Sequence, residues 1–325
     1  MRIVVLRTDR LGELLLTLPL AQALRQAHPD AHITFVVQER YAELVRLAPG
    51  VDRVLGVPWW GRRVRWRDAR ALIRQLRREQ FELALVANPH KWLHWAVWRA
   101  HIPRRIGYDR KWAWCLTDRV PDIKASALRH EIEWNVALAK PLGVTAIRPQ
   151  LALPVDDAAQ RAIRERLTAM GVAWHAPVIA LHPWASTVEK RWPAAFFQRA
   201  ARALAAEYGA TIIVIGGDEH AAEAAEFCRP VTAINLTGQL TLVELAACLR
   251  QCALLISNDS GPAHLAAAVG TPTITLFGSA HAAQGPIRWR PWGDGHIVLH
   301  QTPIDRIAVD DVLAAAQQRS HAWTR

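Results

Sequence analysis

The chain lacks a long hydrophobic run, although hydrophobic residues make up 51% of its 325 positions. No apolar stretch approaches the roughly 18 residues that a membrane-spanning helix needs. The short apolar run at 3–6 predicts a first β-strand rather than a signal peptide. The four cysteines have neither the spacing of a zinc site nor that of a disulfide framework, which indicates buried free thiols. We therefore expect a cytoplasmic protein.

Acidic residues are too few to balance the charge of the first half of the chain. Residues 1–150 contain 26 Lys and Arg against 14 Asp and Glu, a net charge of +12, whereas residues 151–325 contain 14 against 15, a net charge of −1. Nine of the fifteen tryptophans also lie before residue 150. A basic excess in one half indicates an anionic partner, which could be nucleic acid, an anionic membrane surface or a phosphorylated substrate. A solvated basic face explains the charge equally well.

Strand-like and helix-like segments alternate along the chain, without a solenoid repeat or a low-complexity segment. This alternation predicts α/β layers with parallel sheets, and the length favours two domains. A proline-punctuated stretch at 147–154 predicts a linker between domains 1–150 and 151–325. We expect two Rossmann-like, doubly wound domains that face a central cleft, with a last helix at 305–320 packed on either of them. Open parallel sheets bind ligands at the carboxyl ends of their strands, so the loops that follow strands are the candidates.

The loop after the first strand contains a candidate general base. Gly12 permits a tight turn, and Glu13 then opens a helix predicted over 13–28. A carboxylate in a first helical turn is stabilised by the helix dipole, which is a sufficient structural reason for it. The same carboxylate follows a strand, where a general base would be placed. The loop has no G-x-G-x-x-G fingerprint of dinucleotide-binding folds.

Two loops of the second half have groups suited to a nucleotide. The loop at 182–193 offers hydroxyls and an ammonium, from Ser186, Thr187 and Lys190, which suit a diphosphate. The alternative for Lys190 is a solvated entry to a helix. A glycine turn at 216–217 precedes two acids, Asp218 and Glu219, either of which could accept hydrogen bonds from ribose hydroxyls or cap a helix.

A third loop, at 256–266, has the clearest pattern. An apolar strand leads into a turn in which Asp259 or Ser260 can cap a helix that begins near Gly261 and Pro262. Such a turn aims backbone N–H groups and the positive helix end at one point, which suits a phosphate. His264 could donate to that phosphate or could be a satisfied buried histidine. An ordinary capped crossover explains the same pattern.

The sequence has no Asp-x-Asp motif in a plausible loop, so we expect no metal. A nucleotide site without a metal must neutralise the leaving group with Lys, Arg and helix ends, which these three loops offer together.

Taken in order, these motifs resemble those of one enzyme family. The chain is similar to the lipopolysaccharide heptosyltransferases of glycosyltransferase family 9, which have the GT-B fold. The matching segments span nearly the whole chain: 10–19, 182–183 with 186–193, 216–219, 258–265 and 270–272. The resemblance implies an inverting, metal-independent enzyme that moves a heptose from an ADP-sugar to an anionic, lipid-linked core saccharide.

The resemblance also implies roles for single residues. The family's catalytic base falls on Glu13, although the family has Asp there, and its diphosphate-binding lysine falls on Lys190 beside Ser186 and Thr187. Its ribose-binding acid falls on Glu219. Its phosphate-binding turn falls on three consecutive positions with a histidine after them: Asp259, Ser260, Gly261 and His264.

The anionic acceptor implied by the resemblance explains the positive charge of residues 1–150. The run 59–67 interleaves tryptophans and arginines, and we expect Arg62, Arg63 and Arg65 to contact acceptor phosphates or carboxylates or to rest on anionic lipid. A second candidate patch consists of Arg104, Arg105, Arg110 and Lys111. An exposed basic helix start is the structural alternative. These expectations place the enzyme in the cytoplasm, peripheral on the inner membrane, without a nucleic acid partner.

Other functions remain open at this level. They are a GT-B transferase with another sugar nucleotide, a sugar-nucleotide epimerase, a relative that has lost transfer because of the Asp-to-Glu change, and a basic nucleic-acid-binding protein. The basic first half argues against the epimerase, and the three nucleotide-type loops argue against the nucleic-acid-binding protein.

Overall fold

The computed structural model describes residues 1–58, 64–144, 148–320 and 323. The chain divides into two compact units, Met1–Leu153 and Pro154–Arg325. Among the described residues, no helix has the length and apolar character to cross a bilayer.

The N-terminal unit is built on a six-stranded sheet in which all neighbouring strands are parallel. Its strands are β1 (Arg2–Leu6), β2 (His32–Gln38), β3 (Arg53–Val57), β4 (Leu83–Val86), β5 (Arg104–Tyr108) and β6 (Asp118–Val120). The order β3-β2-β1-β4-β5-β6 reverses direction beside β1, as in doubly wound folds. The register aligns Leu6 with Val36 and with Val86, so the loops after β1, β2 and β4 leave from the same edge.

Helices cover this sheet between the strands. They are α1 (Leu11–Leu15), α2 (Pro19–Ala27), α3 (Ala42–Val45), α4 (Trp66–Glu79), α5 (Lys91–Arg99) and α6 (Glu131–Ala137). The single helix expected over 13–28 is wrong, because the structure has two. Pro19 has no N–H for a helical bond to Leu15, and the chain before it tightens, with Thr17 N–H donating to the Leu14 carbonyl and Leu18 N–H to Leu15.

The C-terminal unit repeats the architecture with a second six-stranded parallel sheet. Its strands are β7 (Val178–His182), β8 (Thr211–Val214), β9 (Ala233–Asn235), β10 (Leu254–Asn258), β11 (Thr273–Phe277) and β12 (His296–His300), in the order β12-β11-β10-β7-β8-β9. β7, β10 and β11 are buried along their whole length, as expected for central parallel strands. β7 lies between β10 and β8, so the loops after these three strands leave neighbouring positions on one edge.

The helices of this unit are α7 (Asp157–Ala169), α8 (Ala194–Tyr208), α9 (Ala221–Cys228), α10 (Leu242–Gln251), α11 (Gly261–Ala268), α12 (Pro286–Trp289) and α13 (Val309–Ser320). The last helix, α13, packs against α8 within this unit. Its buried side chains Val309 and Val312 belong to the same core as Ile256 of β10 and Phe197 of α8. The expected α/β fold of two doubly wound parallel sheets is therefore confirmed.

Candidate active site

The loop after β1 brings Glu13 into the first turn of the short helix α1. Burial raises the pKa of the Glu13 carboxyl above its ordinary value, and the nearby charge of Asp9 adds to this, while Arg7 opposes it. A carboxylate with a raised pKa is a stronger base, so the surroundings favour proton acceptance at this position.

A buried charge network lies under this loop. Arg7, only 3% exposed, donates to Asp9 Oδ1 at 2.7 Å and to the Ala87 carbonyl at 2.9 Å. Its guanidinium also lies 3.8 Å from Glu131 Oε1, on α6. The loop that contains Glu13 is thus tied to β4 and to α6 by one side chain.

Lys124 completes the network from the far side of Glu131. Its Nζ donates to Glu131 Oε1 at 2.6 Å and lies 4.2 Å from the ring centroid of Tyr108. Asn135, also on α6, donates to the Leu16 carbonyl at 3.0 Å. This network was not predicted from the sequence, because Arg7 is far from Lys124 and Glu131 in the chain and single charges ordinarily indicate solvated faces.

In the C-terminal unit, the structure joins two of the predicted loops through an ion pair. Lys190 Nζ donates to Asp259 Oδ2 at 2.7 Å, and the two side chains are 20% and 11% exposed. Asn258 holds the same two loops together, because its Nδ2 donates to the Pro183 carbonyl at 2.9 Å and its Oδ1 accepts from Trp192 N–H at 3.0 Å. The predicted diphosphate groups after β7 and β10 therefore form one assembly.

Ser260 is the N-cap of α11, but its hydroxyl does not cap the helix. It lies 3.0 Å from His182 Nδ1 and 3.0 Å from Ser257 Oγ. Burial lowers the pKa of His182 to about 3, and the charges of His220 and Arg191 act in the same direction, so the ring is neutral at pH 7. Pro262 has no N–H, and the Ala263 N–H donates to the Ser260 carbonyl at 3.2 Å, so among the first helical residues the Gly261 N–H and the positive end of the helix dipole are left for a ligand. Their direction suits an anion above Ser260 and Gly261.

The remaining predicted donor residues differ in exposure. Ser186 and Thr187 lie in an exposed turn just before Lys190, whereas His264 lies inside α11 and is 3% exposed. Backbone N–H groups and then the Thr187 hydroxyl lower the pKa of the exposed Glu189 carboxyl. Ser186 is thus exposed to a ligand, the exposed Thr187 hydroxyl is bonded to Glu189, and His264 packs within the unit.

The glycine turn after β8 presents Glu219 to solvent. The Trp184 indole packs under the turn and donates to the Ile215 carbonyl at 3.1 Å, and it stacks on His220 at a centroid distance of 4.9 Å. A Cβ at Gly216 would lie 2.5 Å from the Trp184 indole nitrogen, so this position requires glycine. Asp218 accepts from the Glu219 backbone N–H at 3.1 Å, whereas the Glu219 side chain is 68% exposed.

The predicted acceptor arginines have different settings. Arg65 is exposed at the start of α4, and Arg62 and Arg63 lie outside the described residues. Arg104 donates to Asp118 at 3.0 Å, and Arg105 donates to the backbone carbonyls of Cys115 and Ile102. Both belong to the amino end of β5, the opposite edge of the sheet from the loop of Glu13. Acceptor binding by these arginines stays a prediction.

Metal ligands do not cluster in the described part of the chain. Three pairs of histidines are spaced four residues apart, at 28 and 32, 90 and 94, and 296 and 300. Within the described ranges, no group of three or more His, Cys, Asp or Glu side chains is arranged to hold a metal ion.

Comparisons with known proteins agree with this architecture. Residues 69–306 match the sequence profile of glycosyltransferase family 9 (heptosyltransferase). Lipopolysaccharide heptosyltransferase 3 of Escherichia coli is 30% identical over 301 residues, covering 88% of this chain and 85% of that protein. A family 9 glycosyltransferase structure from Veillonella parvula DSM 2008 has a TM-score of 0.89 at 24% identity, over 98% and 96% of the two chains. E. coli heptosyltransferase WaaC, solved with ADP, has a TM-score of 0.75 at 20% identity, over 98% and 100%.

Two parallel α/β units of this kind are the architecture of the GT-B fold, which the similar structures share. The chain belongs to glycosyltransferase family 9, the heptosyltransferase family. The resemblance stated from the motifs is therefore confirmed, and the family match favours transfer over the epimerase and nucleic-acid-binding alternatives.

Proposed function

We propose that this enzyme transfers a heptose from ADP-heptose to an anionic lipopolysaccharide core acceptor. An acceptor hydroxyl loses its proton to Glu13 and forms the new bond to the anomeric carbon. The bond from that carbon to the ADP oxygen breaks at the same time, so ADP leaves with the electron pair and the anomeric configuration inverts.

The names of similar proteins support the sugar, the nucleotide and the acceptor class. The E. coli relative at 30% identity is a lipopolysaccharide heptosyltransferase, and the WaaC structure was solved with ADP. The net charge of +12 on residues 1–150 supports an anionic acceptor on the N-terminal unit.

The observation that carries the proposal is the Lys190–Asp259 pair at 2.7 Å, beside the N-terminus of α11. The Lys190 ammonium, the positive end of the helix dipole and the Gly261 N–H provide at one point the positive charge that a departing diphosphate needs. Ser186 and Thr187 add hydroxyls next to Lys190, and the exposed Glu219 is available to ribose hydroxyls. We propose that these groups neutralise the leaving group without a metal.

Glu13 is the base in this proposal. Its raised pKa and its place in the loop after β1 support the assignment. The extra methylene of Glu relative to Asp extends the reach of the carboxylate from a backbone that the Arg7 network holds in place. We propose that the reaction takes place at the cytoplasmic face of the inner membrane, where a lipid-linked acceptor is available.

The donor assignment is tested by calorimetric binding of ADP, UDP and GDP in the presence of EDTA. We expect selective binding of ADP, and we expect Lys190→Ala to lose about 1.5–3 kcal/mol, the usual contribution of a hydrogen bond to a charged group. This corresponds to an increase in Kd of about 10- to 150-fold.

Lys140→Ala is the matched control, because Lys140 is an exposed lysine of the N-terminal unit. It should bind ADP like the wild type. If no nucleotide binds, or if both lysine variants bind ADP equally well, the donor assignment is wrong.

A further inference from the structure

The outward face of α5 has an unusual composition. Its buried positions are apolar or histidine, whereas its outward positions are only aromatic or basic: Lys91, Trp92, Trp95, Trp98 and Arg99. Acidic side chains are absent from this helix. The solvent-facing side of an amphipathic helix normally has both acidic and basic residues. This face therefore indicates a partner with an anionic surface and an apolar interior.

Neighbouring segments extend this face into a tryptophan surface made of two groups of contacting rings along α5. Its six members are Trp66, Trp92, Trp95, Trp98, Trp112 and Trp114. Trp66 of α4 lies 5.9 Å from Trp92 and 5.0 Å from Trp95, measured between ring centroids. Trp112 lies 5.8 Å from Trp92, and Trp114 lies 5.3 Å from Trp98. Trp114 is 56% exposed and Trp66 is 48% exposed, so large apolar area remains open to solvent.

Cations lie over the rings of this surface. Arg70 is 5.2 Å from the centroid of Trp66, and Arg99 is 5.7 Å from that of Trp98. Lys91 is 5.9 Å from Trp92 and 5.4 Å from Trp112. Tryptophan prefers the boundary between headgroups and acyl chains, and lysine and arginine bind lipid phosphates, so the two kinds of side chain suit one interface.

The same contacts argue against nucleic acid as the partner. Bases bind tryptophan by stacking on an open ring face. Here cations cover faces of Trp66, Trp92 and Trp98, and the rings meet one another mostly edge to face. The exposed parts of these rings therefore suit insertion among lipid headgroups better than stacking with bases.

The position of the tryptophan surface connects it with the reaction. α5 begins at Lys91, shortly after β4 ends, and Trp112 follows the end of β5. The loop of Glu13 leaves from this same edge of the sheet. Lys91 and Trp112 therefore lie at the edge of the base, whereas Trp98 and Arg99, in the last turn of α5, lie towards the amino end of β5. A membrane that reaches the Lys91 end of the tryptophan surface would present a lipid-linked acceptor on the side of the unit that contains the base.

We infer that the tryptophan surface docks the N-terminal unit on an anionic phospholipid bilayer, with Arg70, Lys91 and Arg99 on the lipid phosphates. This inference rests on the proposed function only in that it explains how a lipid-linked acceptor reaches Glu13. The contact with lipid itself is independent of donor binding.

The test is co-sedimentation with phosphatidylcholine vesicles that contain or lack phosphatidylglycerol. We expect the full-length enzyme to bind only the anionic vesicles and to be released by salt. The double variant Trp98→Ser, Trp114→Ser should bind at least about tenfold more weakly, since it loses two exposed rings. The double variant Lys91→Gln, Arg99→Gln should lose about fivefold per cation.

Trp174→Ser is the matched control, because Trp174 of the C-terminal unit also lies under an arginine, with Arg164 4.1 Å from its ring centroid. It should bind vesicles like the wild type. ADP binding by every variant shows that the fold is intact. With a delipidated soluble acceptor, the Trp98→Ser, Trp114→Ser variant should keep the wild-type rate, and it should lose rate only with acceptor in vesicles.

Equal vesicle binding by the wild type and the tryptophan variant would overturn the inference. So would salt-sensitive retention of single-stranded RNA without any vesicle binding. A wild-type enzyme that binds anionic vesicles but no nucleotide would instead contradict the proposed function and leave the docking surface standing.

Discussion

The Lys190–Asp259 pair allows a prediction that distinguishes a diphosphate site from an ordinary surface ion pair. In Lys190→Ala, the Asp259 carboxylate loses its partner and faces the site where the diphosphate would bind. In the double variant Lys190→Ala, Asp259→Asn, that negative charge is gone while the side-chain volume is kept. We therefore expect the double variant to bind ADP more tightly than Lys190→Ala, although less tightly than the wild type.

The size of this recovery follows from the geometry. Asp259 Oδ2 lies 2.7 Å from the ammonium, so a phosphate oxygen on the other side of the same nitrogen would be about 5 Å from the carboxylate. Coulomb's law then gives a repulsion of about 1–3 kcal/mol per charge, between the effective dielectric of water and that of a protein surface. This equals a recovery in Kd of roughly 5- to 150-fold, which calorimetry resolves.

A double variant that binds ADP no better than Lys190→Ala would refute the reasoning. It would mean that Asp259 does not face the diphosphate and that the pair only joins two loops. Raised salt is an internal check, because screening should reduce the difference between the two variants.

Three further outcomes are expected. Glu13→Gln should lower kcat by about 100- to 10,000-fold in a turnover assay while the Kd for ADP stays unchanged, because it removes a general base and no donor contact; an unchanged kcat would exclude Glu13. Because the folded pKa of His182 lies near 3, below the unfolded value near 6.5, the unfolded state binds more protons as pH falls. The free energy of unfolding should therefore fall by about 1.4 kcal/mol per unit below pH 6.5 through this group, and the slope measured for His182→Gln should be smaller than that of the wild type by this amount, while the lowered pKa values of His94 and His296 maintain the rest. Lys124→Met should lower the free energy of unfolding by up to about 3–5 kcal/mol, since the buried Glu131 carboxylate loses its 2.6 Å partner and keeps Arg7 at 3.8 Å, and Lys124→Met, Glu131→Leu should recover part of the loss.

The sequence was sufficient for most of the regular structure because apolar runs alternate with amphipathic segments. The strand predicted at 3–6 lies within β1, and the last helix predicted at 305–320 ends with α13 but begins four residues too early. β6 was not predicted, because Asp118-Arg119-Val120 is a short, polar edge strand without an apolar pattern. Pro19 indicates a helix break in the sequence, but the many leucines at 14–20 favoured the prediction of one helix across it.

The candidate site was predictable only as separate loops. The types of residue at Glu13, Lys190 and Asp259 indicated their chemistry, yet the 2.7 Å contact between the last two joins positions 69 residues apart. The periodicity of helices and strands predicts local structure, but it does not show which residues meet across such a separation in the chain. The buried network of Arg7, Lys124 and Glu131 is a stronger case, because charges are rarely buried and only the folded chain shows that these three compensate one another.

The two hydrogen bonds of Asn258 have a consequence for any attempt to change the donor. A single amide fixes the loops after β7 and β10 to each other, so a substitution there would disturb every diphosphate contact at once. The turn with Glu219 is held instead by bonds to its backbone, because the Gly216 carbonyl accepts from the Gly238 N–H at 2.9 Å, and by the stacked rings of Trp184 and His220. Variation in nucleotide preference among such enzymes should accumulate in that turn, and a library aimed at a new donor should be built around positions 217–220 with Asn258 left untouched.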